Sequence, residues 1–386
     1  MCKDGLAFCK FLSANDTGDT GSHQAGILIP KWAVPVIFDE PFARGKNQER
    51  QIRIVWHDGS LTESRAVYYG QGTRDEYRIT RLGPLTGRGY TGALFVLVRP
   101  HGNGNYLAFV LETEADIDGF LDTLGLSPTE TNALIDTRWI SDPQDKNDEQ
   151  RWLSDYLKTL DEGVGLTFPD TLIMSQKARE WEGHADNRRG DITGDPDQKL
   201  LAWEEYEYRL FRAVEQAKYG HQIGTGFADM SDFVSLANEV LNRRKSRAGK
   251  SLEHHLDAIF RGNGLSFEAQ AVTEGRKRPD FIFPSGAAYH DAAFPAEKLI
   301  TLAAKTTCKD RWRQILNEAD RLKDRDKFLF TLQRGISDAQ LQEMSAEHVR
   351  LVVPAPYIND YPAGAREGIL TLRNFVQLVQ STQHHL

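Results

Sequence analysis

The spacing of apolar and polar positions changes character partway along this 386-residue chain. In the first third, short alternating apolar runs such as Gln51–His57 (QIRIVWH) and Ala93–Val98 (ALFVLV) are closed by turn residues, which predicts a mostly β region. From Ser141 to Gly165 the sequence turns polar and acidic around one predicted helix, Asp148 to Leu160, as suits a connection. Helical periodicity then dominates, predicting helices over Asp170–Trp181, Lys199–Lys218, Met230–Arg244 and Ser251–Arg261, the last with Leu252, Leu256, Ile259 and Phe260 on one face. Asp186–Asp197, polar with two glycines and a proline, predicts a mobile loop. Apolar runs at Phe281–Phe283, Leu299–Thr306, Lys327–Leu332 and Val349–Val353 predict buried strands, with a helix from Asp310 to about Lys323. The pattern divides the chain into a mostly β domain (1–145), a linker (146–165) and an α/β domain (166–386).

Composition narrows the class. With 40% hydrophobic and 26% charged residues the chain reads as soluble and globular, and no apolar run approaches the ~20 residues of a membrane helix. The first residues, MCKDGLAFCKFLSAND, lack the apolar core of a secretion signal, and Cys2, Cys9 and Cys308 form neither a CxxC pair nor an even set. The expectation is a reduced, cytoplasmic protein. A net charge of -8 weighs against general affinity for nucleic acid, yet two basic runs, Arg243–Lys250 and Arg276–Arg278, could track phosphates. Either run alone is more often a solvated surface patch.

The second basic run ends at Pro279-Asp280, and there the candidate chemistry begins. Phosphodiester hydrolysis needs an in-line water and charge stabilisation, commonly from magnesium held on carboxylates beside a lysine. Asp280 at a strand start, Lys305 near a strand end and Glu318 in the following helix supply that set, and Glu253, in the first turn of its predicted helix, could complete it. Taken singly, Asp280 is more often a turn residue and Glu318 a surface acid. Their order and context reverse that weighting. Between Lys305 and Glu318 lie Lys309, Asp310 and Arg311; cationic groups donate to guanine and a carboxylate accepts from cytosine, so this segment could read G·C pairs. As bare residues they also fit a helix cap with solvated charges, and both readings stand at this level.

Other motifs fail. Ala248-Gly249-Lys250-Ser251 resembles the end of a phosphate loop, but Arg244 occupies the place of its first glycine. Adjacent His254 and His255 do not share a helix face as paired zinc ligands would. Cys308 reads as a small packed residue.

These residues carry a family resemblance. Leu241–Leu252 (LNRRKSRAGKSL), Gln270–Phe283 (QAVTEGRKRPDFIF) and Lys305–Asp320 (KTTCKDRWRQILNEAD) resemble the catalytic domain of EcoRII-type restriction endonucleases. Ser13–Gly21 (SANDTGDTG), His23-Gln24, Arg65–Tyr69 and Arg78–Arg81 resemble that family's effector domain. The resemblance covers nearly the whole chain and is weakest from about Gly102 to Asp197. It implies a PD-(D/E)XK nuclease fold whose second acid has moved to Glu318, with Ala303 at the vacated position. Asp280, Lys305 and Glu318 match the catalytic residues and Glu253 an accessory acid, with Mg2+ as cofactor. Lys309, Asp310 and Arg311 match the segment reading CC:GG pairs. The N-terminal domain is expected to be a B3-like β-pseudobarrel that binds DNA through Arg74, Glu76 and Arg78, with His23 nearby, either as an effector that relieves inhibition or as an aid to target capture.

Two positions depart from the pattern. Relatives that extrude central bases use an arginine and an aromatic; here Tyr208 keeps the aromatic and Glu204 stands at the arginine. Tyr77 replaces a basic residue in the N-terminal cleft. The resemblance implies a type II restriction endonuclease acting on duplex DNA at a CC/GG-containing site related to CCWGG, with a homodimer and a cognate cytosine methyltransferase as partners. The alternatives are a catalytically silent DNA-binding regulator and a nonspecific repair nuclease.

Overall fold

The computed structural model of the chain describes residues 5–19, 26–85, 89–100, 104–135, 148–161, 166–185, 188–309 and 311–384. Its first part contains β1 (Leu6–Phe11), α1 (Ala14–Thr17), β2 (Ile27–Ile29), β3 (Gln48–Trp56), β4 (Leu61–Tyr69), β5 (Glu76–Thr80), β6 (Leu94–Arg99), β7 (Tyr106–Leu111), α2 (Glu114–Leu124) and β8 (Ala133–Ile135). Among the described residues the strands form one eight-stranded sheet in the order β2-β5-β4-β3-β7-β6-β1-β8, antiparallel except where β3 meets β7. Alternation places Phe8, Ile52, Ile54, Tyr68, Ile79 and Phe95 in one core. On the opposite face Cys9, Phe11, Leu94 and Val96 pack against Ile117 and Leu121 of α2. With that stripe facing the sheet, Glu114, Asp118 and Asp122, spaced by four, form a neighbouring stripe on the same helix.

The second part begins with α3 (Asp148–Thr159), α4 (Thr171–Glu182), α5 (Pro196–Thr225) and α6 (Met230–Gly262). Trp152 and Tyr156 of α3, in the stretch expected as a linker, pack with Trp181 of α4 and with Tyr206 and Leu210 of α5. Residues 186–187 of the expected loop lie outside the described residues, and its last two residues belong to the start of α5. The separate helices expected over Met230–Arg244 and Ser251–Arg261 are one 33-residue helix. Gly249 in its interior costs about 1 kcal/mol of helix propensity. Burial of Arg247, Ser251 and Leu252 around it offsets that cost. Glu253 therefore sits deep within α6, and not in a first turn.

Next come β9 (Glu268–Ala269), β10 (Phe281–Phe283), α7 (Gly286–His290), β11 (Ile300–Lys305), β12 (Lys327–Thr331), α8 (Asp338–Ala346), β13 (Val349–Val353), β14 (Leu370–Thr371) and α9 (Leu372–His384). The sheet order is β14-β13-β12-β11-β10-β9, with β11 to β14 parallel and β9 and β10 antiparallel. Leu252, Leu256 and Phe260 of α6 and Phe375 and Val379 of α9 cover Phe281, Phe283, Leu302 and Phe330. The helix expected from Asp310 to Lys323 is two short 3-10 segments, Arg311–Asn317 and Asp320–Leu322. Glu318 lies between them, and the helical face it was expected to share with Arg311 does not exist.

Among the described residues the two parts meet at several places, three of them away from the strand end at Lys305. Arg212 of α5 donates to Glu130 and to the Gly125 carbonyl. Arg244 of α6 pairs with Glu215 and donates to the Asp122 and Thr123 carbonyls at the end of α2. Behind them, fully buried Gln333 donates to the Gly92 carbonyl at 3.2 Å and accepts from the Cys308 amide at 2.8 Å. Gly92 and Gly335 both hold positive φ there (83° and 91°), and a Cβ on Gly92 would lie 2.4 Å from the Gly335 carbonyl oxygen.

Candidate active site

Asp280 stands one residue before β10 and Lys305 ends β11, so antiparallel pairing of Phe281 with Leu302 brings the two together. One Asp280 oxygen accepts from the Ala304 amide at 2.8 Å and from Lys305 Nζ at 3.3 Å. The other accepts from the Gln270 side-chain amide at 2.8 Å, which also donates to Glu253 at 3.2 Å. Lys250, one helical turn before Glu253, pairs with the same Glu253 oxygen. Glu318, between the two 3-10 segments, lies in the field of Asp280 and Lys305, and its backbone carbonyl accepts from the Thr273 hydroxyl.

The acids feel one another. Burial pushes the Glu318 carboxyl up to about 7, the Asp280 charge adds to that, and Lys305 opposes it. Glu253 is raised by burial and then by Asp280, against Lys250 and Lys305. Three partly buried carboxylates thus share one field.

The neighbouring segment is covered. Arg311 forms ion pairs with Glu114 and Asp118 of α2, and its backbone amide donates to Glu114 at 3.0 Å. Thr307 donates to Asp118 at 2.7 Å. Lys309 is buried and its carbonyl accepts from Gln340. Asp310 lies outside the described residues. A cavity of about 230 Å3 remains between the domains, lined by Asp118 and Asp122 on one side and by Tyr208, Lys245, Glu253, Lys305 and Arg311 on the other.

Most cations of the basic run on α6 are engaged within the protein, while Lys245 lines the cavity. Arg243 pairs with Glu239, Arg244 with Glu215 and Lys250 with Glu253. Arg247 is buried with its guanidinium 3.6 Å above the Tyr208 ring. Beneath it Glu204 is fully buried and accepts from Ser251 at 3.3 Å, while its other oxygen lacks a protein partner. Burial and then Glu207 push the Glu204 carboxyl up to about 8. The folded chain therefore keeps a proton there that an unfolded carboxyl, near 4.5, releases. Stability falls as pH rises from about 4.5 to about 8. Glu204→Gln should match wild type in thermal unfolding near pH 4 and exceed it increasingly toward pH 9; parallel melting curves across that range would remove this assignment.

In the N-terminal part Arg78 donates to the Gly26 carbonyl and pairs with Glu76, and the Arg74 guanidinium lies 5.6 Å from the Tyr69 ring. His23 lies outside the described residues. Glu76 and Arg78 lie on β5, in a different sheet from the strands beside Asp280 and Lys305.

Comparison with known proteins bears on this arrangement. A family profile described as EcoRII C terminal matches residues 211–376, and one described as restriction endonuclease EcoRII, N-terminal, matches residues 1–130. The type II restriction enzyme EcoRII of Escherichia coli is 38% identical over 400 residues, spanning 97% of this chain and 94% of that protein. The chain belongs to the EcoRII family of type II restriction endonucleases. The type II restriction enzyme SsoII of Shigella sonnei is 26% identical over 125 residues, 30% of this chain and 40% of that protein. Among solved structures, metal-depleted Ecl18kI in complex with uncleaved, modified DNA aligns at TM-score 0.47 and 18% identity, covering 62% of this chain and 86% of that one. The PspGI–substrate DNA complex aligns at 0.44 and 16%, covering 57% and 95%.

Membership in the EcoRII family accounts for the two-part architecture and for the enzyme class. Sequence reasoning missed Gln270, which sits in a quoted family stretch, and Glu114 and Asp118, which lie where the resemblance is weakest. It also missed Arg247 as the partner of Tyr208, because the two meet only when α5 and α6 pack.

Proposed function

We propose that this enzyme hydrolyses both strands of duplex DNA at a short CC/GG-containing site related to CCWGG, using Mg2+. The observation that carries the reading is Asp280 and Lys305 on adjacent strand ends with Glu253 and Glu318 in the field of Asp280. Among the described residues no group of three or more His, Cys, Asp or Glu side chains is placed to hold a metal ion. Mg2+ does not require one, since it binds through one or two carboxylates and keeps several waters. The raised carboxyls of Glu253 and Glu318 fit a site that gains from a divalent cation. Asp280 and Glu318, helped by Glu253, would hold the ion, which when bound supplies charge neutralisation at the phosphate. Lys305 orients or deprotonates the attacking water and steadies the developing negative charge. Lys309, Asp310 and Arg311 read the G·C pairs, and Tyr208, capped by Arg247, faces the central bases.

The N-terminal region acts in this reading as a B3-like effector domain, binding a second DNA copy through Arg74, Glu76, Arg78 and His23. Its α2 roofs the catalytic cleft and occupies Arg311, which supports an inhibitory role that DNA at the N-terminal domain relieves. The division at 1–145, 146–165 and 166–386 separates the two roles, with α3 packed on the catalytic side. Cutting both strands of a twofold site suits a homodimer. Ile223, Met230, Phe233 and Val234, exposed where α5 gives way to α6, offer an apolar contact for the second copy. Phe233→Glu should shift the protein toward monomer in sedimentation velocity; an unchanged sedimentation coefficient would reassign the contact. A cognate cytosine methyltransferase and a cytoplasmic location complete the proposal.

Digestion of methylation-free plasmids with Mg2+, with chelator as control and end-sequencing of the fragments, tests the whole reading. Discrete ends at one CC/GG sequence are expected. Random fragmentation would favour a repair nuclease, and binding without cutting a silent regulator.

A further inference from the structure

Gln270 follows β9, where its backbone amide donates to the Asp280 carbonyl at 3.1 Å. Its φ is +55°, a left-handed conformation that glycine and asparagine adopt at low cost and glutamine does not. Strain of this kind persists where the surroundings impose it, and it gathers at functional sites. Here the side chain gives the reason, because its Nε2 bridges Asp280 (2.8 Å) and Glu253 (3.2 Å), two acids carried by different elements. The second Asp280 oxygen is already taken by the Ala304 amide and Lys305. The Gln270 amide therefore completes the fixing of that carboxylate and ties it to α6. Lys305 and Lys250 each offset one of the two charges, and the neutral amide between them adds a donor that both acids share. The same turn carries Thr273, whose hydroxyl holds the backbone of Glu318.

We propose that Gln270 is a positioning residue that sets the separation of Asp280 and Glu253 before the divalent cation enters. The inference rests on the metal-dependent reading given above. Partners that orient metal-ligating carboxylates are commonly worth ~10–100-fold in metal affinity. Gln270→Asn is the informative variant: asparagine tolerates the left-handed backbone, so the turn survives, but it is one methylene too short to span both acids.

The test is Mn2+ binding to the full-length protein followed by electron paramagnetic resonance, beside the Mg2+ dependence of cleavage. Gln270→Asn and Gln270→Ala should weaken Mn2+ binding roughly 10-fold or more. They should raise the half-saturating Mg2+ by a similar factor, with the rate at saturating Mg2+ held within about threefold of wild type. Asp280→Asn serves as the reference. If it loses Mn2+ while Gln270→Asn binds as wild type, the role of Gln270 is overturned and the metal site stands. If Asp280→Asn itself binds Mn2+ as wild type, the metal site is overturned and the role of Gln270 with it. A fall in saturated rate with unchanged Mn2+ affinity in Gln270→Asn also overturns the proposal.

Discussion

Lys305→Ala should reduce DNA cleavage by at least roughly 1000-fold while leaving DNA binding within a few-fold of wild type. Removing one preorganised donor from a transition state costs ~100–1000-fold, and the loss of a proton-handling group adds to that. The scaffold survives the change, because Asp280 keeps its bonds to the Ala304 amide and Gln270. A second signature follows from charge. Lys305 opposes the upward shift of both Glu318 and Glu253, so without it their carboxyls rise further. In wild type at limiting Mg2+, where protons compete with the cation for Glu318, cleavage should climb as pH rises through about 7, and any residual activity of Lys305→Ala should climb at higher pH. Single-turnover rates across pH 6 to 9, with filter binding in parallel, measure both effects. Wild-type cleavage by Lys305→Ala would remove the lysine from the mechanism.

Glu114→Gln with Asp118→Asn should have the opposite sign and speed cleavage of DNA carrying one site by at least roughly tenfold. Each carboxylate makes a charge-assisted contact with Arg311 in a partly buried setting. Two such contacts together are worth ~2–4 kcal/mol, which shifts a closed-to-open balance by roughly 30- to 1000-fold. The gain in rate stops where opening ceases to limit. Asp116→Asn is the control, since Asp116 lies on the same helix but bonds to Thr113. Equal rates for the double variant and wild type would mean that α2 does not gate the cleft.

The strand ends that carry Asp280 and Lys305 were legible because apolar runs bounded by polar residues mark buried strands, and chemistry at such ends follows from pairing. The segment after Lys305 was not. Trp312 and Ile315, and Ala319 and Leu322, are buried pairs three residues apart, a spacing that α-helical and 3-10 geometry both satisfy. Glu318 comes into the field of Asp280 by a route other than the shared helical face expected of it. The break expected in α6 fell between Arg244 and Ser251, a stretch that holds Gly249 and three cations. Burial of Arg247 against Tyr208 reverses that expectation, and the contact is invisible without knowing that α5 packs there. Arg311 reads as an exposed reader from local sequence because its partners, Glu114 and Asp118, lie about two hundred positions earlier.

The glycine contact behind the cleft bears on how such enzymes could be recombined. With Gly92 and Gly335 pressed backbone to backbone and Gln333 bonded across them, neither half tolerates an arbitrary partner. A chimaera that joins the N-terminal half of one relative to the C-terminal half of another would need both glycines and the glutamine in register. Without them that close backbone contact would be lost, and the halves would be held by contacts such as those of Arg212, Arg244 and Arg311.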